Sequence, residues 1–148
     1  MSVKLIDENT INIYLKKENI ENVNLKDKLE LEKYLKSLFK KLNEYYNLKI
    51  EGYYDIDIYI DKFYGVIMHM EKEEFDYYDY YSNQIDMRIV CHDSTFLYKV
   101  NDIPDYYDKF NVKIKNNNIY LEIKDKLTNK EMMNLIENTE EIILNKNF

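Results

Sequence analysis

From Tyr54 to Ile60 the chain reads YDIDIYI, with Ile56, Ile58 and Ile60 alternating with Asp55, Asp57 and Tyr59. A period of two sends successive side chains to opposite faces, so this stretch can bury its isoleucines together only as a β-strand with one wet face. Asp61 to Gly65 then turn the chain, and Val66, Met68 and Met70 return with the same period. The pair predicts an antiparallel hairpin.

The same logic extends in both directions. Val3 and Leu5, a polar turn at Asp7 to Asn9, and Ile11, Ile13 and Leu15 predict an earlier hairpin. Ile85, Met87 and Ile89, a turn near Cys91 to Thr95 and the run FLYKV predict a third. A fourth spans NVKIKNNNIYLEIKD and turns at Asn116 to Asn118, because asparagine tolerates left-handed backbone. Two segments follow a different period. Leu31, Tyr34, Leu35, Leu38, Phe39, Leu42 and Tyr45 recur at three-and-four spacing, as do Met132, Leu135, Ile136, Thr139 and Ile143. They predict amphipathic helices over about residues 28–46 and 129–145, the second opened by a capping box between Thr128 and Glu131. The expected fold is α+β, antiparallel β-hairpins packed with two amphipathic helices.

At 148 residues the chain has the length of one domain. With two glycines and one proline it contains no Pro/Gly/Ser-rich linker, so 1–148 is expected to form a single compact, bilobed domain. Its halves, about 1–72 and 84–148, are joined by the aromatic and acidic connector 73–83. No apolar run approaches the roughly 20 residues that span a bilayer, and the charged N-terminal stretch does not resemble a signal peptide. Cys91 is the only cysteine, which rules out an internal disulfide and fits a reducing cytoplasm. A net charge of -7 with dispersed lysines argues against nucleic acid.

The chain offers little machinery for catalysis. It has no glycine-rich phosphate loop and no nucleophile elbow, so neither a cofactor nor a catalytic residue is assigned. Asp55, Asp57 and Asp61 form a row on one face of a strand, but residues two apart are separated by roughly 6.5 to 7 Å and cannot close around one ion. The alternative to a binding protein is a metal-binding protein or metal-assisted hydrolase using His69, His92 and Asp93, with acids such as Asp57. That site requires His69 and His92 on neighbouring strands. Cys91 beside His92 suggests a thiol nucleophile, although adjacent strand residues point apart.

The connector EEFDYYDYYSN is the most unusual stretch. Phe75, Tyr77, Tyr78, Tyr80 and Tyr81 are interleaved with carboxylates, and Tyr106 and Tyr107 repeat the mixture in a later loop. Such rings can fill a seam between two halves, or form a recognition surface for a protein partner, where tyrosine is enriched. Exposed strands could also pair between copies in a homo-oligomer.

LIDENTINIYL near the start, the helix LEKYLKSLFKKLNEYYN, and LKIEGYYDIDIYIDKFYGVIMHMEKEE, with Glu-Gly before an alternating strand, resemble the substrate-binding domain of the MecA family of adaptor proteins. That family delivers substrates to a Clp-type unfoldase and protease. The resemblance covers the N-terminal half, and the later LTNKEMMNLIENTEE is loosely similar to the family's protease-docking domain. The acidic linker that separates the family's two domains has no counterpart here. The resemblance implies a non-catalytic, cytoplasmic, adaptor-like protein that engages another protein or peptide, with no membrane partner.

Overall fold

The computed structural model describes residues 1–61, 64–74, 85–93 and 95–148. Among them β1 (Ser2–Asp7) and β2 (Thr10–Lys16) form the first hairpin, followed by a single helical turn, α1 (Lys17–Ile20). The long helix α2 (Lys28–Tyr45) comes next, then β3 (Gly52–Asp61), β4 (Gly65–Glu73) and β5 (Ile85–His92). The rest is β6 (Phe96–Val100), β7 (Phe110–Lys115), β8 (Asn118–Ile123), α3 (Asn129–Asn138) and β9 (Thr139–Leu144). The architecture is α+β, with the strands in two sheets ordered β1-β2-β4-β3-β5 and β7-β8-β6-β9.

The alternation in β3 is resolved as a division between two cores. Ile11, Ile13, Ile56, Ile58, Val66, Met68 and Met70 share one face of the first sheet, and α2 covers them with Leu31, Leu35, Phe39 and Leu42. The apolar stripe of α2 is narrower than its sequence suggests, since Tyr45 is 78% exposed. Asp27 caps its start by accepting the N–H groups of Leu29 and Glu30 at 3.1 and 3.3 Å. Asn43 ties down its end, exchanging two hydrogen bonds with the backbone of Ile50.

Tyr14, Tyr59 and Ile67 project from the opposite face of the same sheet. They join Phe96, Tyr98, Val100, Phe110, Leu121 and the α3 residues Met132, Leu135 and Ile136 in a second apolar cluster. The ring of Tyr59 lies 5.6 Å from that of Phe96, so the two sheets pack directly. At the end of this seam Gly65 has φ +125°, and a side chain there would run into the carbonyl of Leu15, so only glycine allows β2 and the β3–β4 turn to approach so closely.

Two expectations are corrected. The stretch 85–100 is not a hairpin, because β5 pairs in parallel with β3, while β6 lies in the second sheet between β8 and β9. Met87 and Ile89 are drawn under α2 with the first core, whereas Phe96, Tyr98 and Val100 belong to the second. The last helix ends at Asn138 rather than near 145. Thr139, Ile142 and Ile143 favour extended backbone, and β9 supplies the outer partner of β6. The capping box at Thr128 and Glu131 and the turn at Asn116 and Asn117 form as the sequence predicts.

Candidate functional site

Sheet register gathers residues that the sequence separates. Asp55 of β3 lies opposite Glu71 of β4 and Arg88 of β5; Asp57 lies opposite His69 and Val90; Tyr59 lies opposite Ile67 and His92. Tyr53 lies between Glu73 and Asp86. All of these side chains share the face away from α2. Its Tyr59 end is covered by the second sheet, and its other end is a solvent-accessible polar half-face.

Hydrogen bonds order this half-face. His92 Nε2 lies 2.9 Å from Asp57 Oδ1, and the imidazole stacks on Tyr59 with ring centroids 5.1 Å apart. His69 is held through both nitrogens, Nδ1 at 2.6 Å from Asn12 Oδ1 and Nε2 at 3.0 Å from Glu71 Oε1. Asn12 itself is only 3% exposed. The side chain of Glu73 is hydrogen-bonded to that of Asp55, and this bond, then desolvation and the charges of Asp55 and Glu71, raise the Glu73 pKa. Neighbouring carboxyl groups disfavour one another's charged form.

The metal constellation does not assemble among the described residues. His69 and His92 lie on β4 and β5, which are separated by β3, and each is bonded to a different carboxylate. No group of three or more histidine, cysteine, aspartate or glutamate side chains converges there as ligands for one ion. Asp93 is exposed, just beyond the end of β5. Cys91 points to the α2 side, its thiol 3.7 Å from the Leu25 carbonyl, while His92 points to the other. Burial pushes the Cys91 thiol pKa up, further from the reactive thiolate.

Phe75, Tyr77, Tyr78, Tyr80 and Tyr81 lie outside the described residues. Their attachment points do not: Glu73 pairs with Tyr53, and Ile85 with Gly52, so both flanking strands meet the polar end of the sheet. Tyr106 is engaged in packing, with its hydroxyl 3.0 Å from the Glu131 carbonyl and 2.7 Å from Asn134 Oδ1, and its ring 5.6 Å from that of Phe110. Tyr107 is 60% exposed. Glu71, Glu73, Asp86 and Arg88 went unrecognised in the sequence; the first two share the parity of His69 along β4, a signal that was present.

A separate open cavity of about 1000 Å³ lies at the mouth between the sheets, lined by Lys16, Lys17, Asp61, Tyr64, Lys124 and Lys126 among others. Among the described residues no helix is long and apolar enough to cross a membrane. Comparison of the chain with family models, with characterised proteins and with solved structures gives no match.

Proposed function

We propose that this protein is a non-catalytic, adaptor-like module that holds a basic segment of a partner polypeptide on the polar half-face of its first sheet. The observation that carries this reading is the gathering of Asp55, Glu71, Glu73 and Asp86 around one exposed patch, where the contact with Asp55 raises the Glu73 pKa. Lysine or arginine from a partner relieves that repulsion, and the complementary charge speeds encounter. Tyr53 supplies an aromatic surface in the same row. The resemblance to MecA adaptors supports the same class, and the lone Cys91 accords with work in the cytoplasm.

The test is fluorescence anisotropy with a labelled lysine- and arginine-rich peptide and an acidic control of equal length. The expected result is binding of the basic peptide alone, weakening with salt and lost in an Asp55→Asn, Glu71→Gln double variant that retains its melting profile. Equal binding of both peptides, or full affinity in the double variant, overturns the reading. Displacement of the peptide by stoichiometric calcium or magnesium would reassign the carboxylates to a metal.

A further inference from the structure

The four outer strands of the two sheets differ in how they resist pairing. β1 is interrupted by a register shift between Leu5 and Asp7. β7 carries Lys113 and Lys115, and β9 is bent by an irregularity opposite Lys99 and Val100, with its Ile142 carbonyl facing the Tyr59 hydroxyl. Lysines, bulges and covering groups are the usual protections of a sheet edge. Among the described residues β5 has none of them: its eight residues contain neither lysine nor proline, and its ladder with β3 runs without a shift from Ile85 to His92.

The outer side of β5 is also chemically prepared. The N–H of Met87 donates to Asp86 Oδ1 at 2.8 Å. This amide is therefore answered by a neighbouring side chain and not by β3, which places the N–H and C=O groups of residues 85, 87 and 89 on the free edge. A shallow depression of about 420 Å³ runs beside it, lined by Lys28 and Glu32 of α2 and by Met87 to Val90. It leaves room for the side chains of an added strand.

We infer that the β5 edge pairs with β5 of a second copy, antiparallel about a two-fold axis through Met87, joining two first sheets into one continuous sheet. This register places Met87 against its own symmetry mate and Ile85 against Ile89 on the α2 side. On the opposite side it sets Asp86 against Arg88 twice. Arg88 is the only arginine of the chain, is exposed, and has no ion partner among the described residues. A strand that carries Asp and Arg two residues apart, on the same face and flanking its centre, complements itself in this arrangement. A two-fold centre one or two residues away does not pair them. As the two Met87 residues exchange backbone hydrogen bonds, Asp86 is released from the Met87 amide to meet the partner's Arg88. The isologous contact closes after two copies.

Sedimentation equilibrium over a wide concentration range tests this, with Asp86→Arg and Arg88→Asp variants first shown by circular dichroism to be folded. The expected result is a wild-type dimer, and self-association weakened about tenfold or more in each variant, because each sets like charges opposite one another twice. An equimolar mixture of the two variants should recover association, since one copy then offers two cations and the other two anions. Protection of the Met87 amide against hydrogen exchange should rise with wild-type concentration. A wild type that stays monomeric, variants that dimerise as tightly as wild type, or a mixture that fails to associate would each overturn the inference. Asp86 also lies in the carboxylate patch, so the Asp55→Asn, Glu71→Gln variant, which leaves β5 unchanged, separates the two readings: it should lose the basic peptide and still dimerise.

Discussion

The hydroxyl of Tyr64 accepts the backbone N–H of Leu127 at 2.7 Å, while the carbonyl of Tyr64 accepts the Tyr14 hydroxyl at 2.6 Å. One residue at the β3–β4 turn thereby links the first sheet to the segment that leads into α3. Tyr64→Phe keeps the ring but leaves the part-buried Leu127 amide without its acceptor, at a cost of about 1 to 2 kcal/mol. Urea unfolding should show a lower midpoint with an unchanged slope. A midpoint equal to wild type would mean that water replaces the bond in full.

Tyr98 behaves in the opposite sense. Its hydroxyl is buried and has no hydrogen-bond partner among the described residues, and desolvation, followed by the charge of Asp61, holds its pKa well above the usual range. The hydroxyl was stripped of water without compensation, so Tyr98→Phe should stabilise the protein by about 1 kcal/mol. A raised denaturation midpoint is the expected reading. A lowered one would show that the hydroxyl has a partner in solution, such as a trapped water.

Local pattern carried much of the fold. The parity of Ile56, Ile58 and Ile60 identified the face that α2 covers, and the spacing of Thr128 and Glu131 identified a helix start to the residue. What failed was pairing over distance. Nothing within Ile85 to His92 distinguishes a strand returning as a hairpin from one adding in parallel to β3, because that choice depends on which core has room for Met87 and Ile89. The same gap concealed the site, since Asp86 and Arg88 join the row of Asp55 only through parallel pairing. At the C-terminus, Thr139 and Ile143 fit the helical repeat by position, but β-branched residues beside the side of β6 that β8 leaves open are better placed in a strand.

The β7–β8 turn provides a backbone test. Asn116 and Asn117 have φ of 52° and 65°, the left-handed values required at both positions of the tight hairpin turn that suits twisted strands. Asn117→Gly should be neutral or stabilising by a few tenths of a kcal/mol, and Asn117→Ala should cost about 1 kcal/mol. Thermal melts of the pair would separate backbone preference from side-chain contacts. Equal losses in both would point to a role for the Asn117 side chain.

Acid should loosen the start of α3. The hydrogen bond from Lys109, at 2.6 Å, and then that from the Thr128 amide lower the pKa of Glu131 below its ordinary 4.5. A carboxyl depressed in the folded state contributes stability that is fully present above 4.5 and is lost as the pH falls through its folded value. Glu131→Gln should therefore melt lower than wild type at neutral pH and converge with it in acid. Parallel curves across the acid range would show that the bonds are not linked to protonation.

Glu73 should separate stability from function. Its carboxyl is raised above the ordinary 4.5, first through its hydrogen bond to Asp55, so its contribution to stability declines as the pH rises from that value through the folded pKa. Glutamine reproduces the neutral, protonated partner of Asp55 at every pH. Glu73→Gln should accordingly raise the melting temperature at neutral pH and flatten its dependence between pH 4.5 and neutrality. The same change removes a charge from the patch, so affinity for a basic peptide should fall even as the protein becomes more stable. Sites that bind at the expense of their own stability show this opposition, whereas a surface with only a structural role gains stability without losing a ligand. Melting curves and peptide titrations on one preparation read both effects together. A variant that melts higher and binds as tightly as wild type would remove Glu73 from the recognition surface and leave the Asp55 and Glu71 pair to carry it.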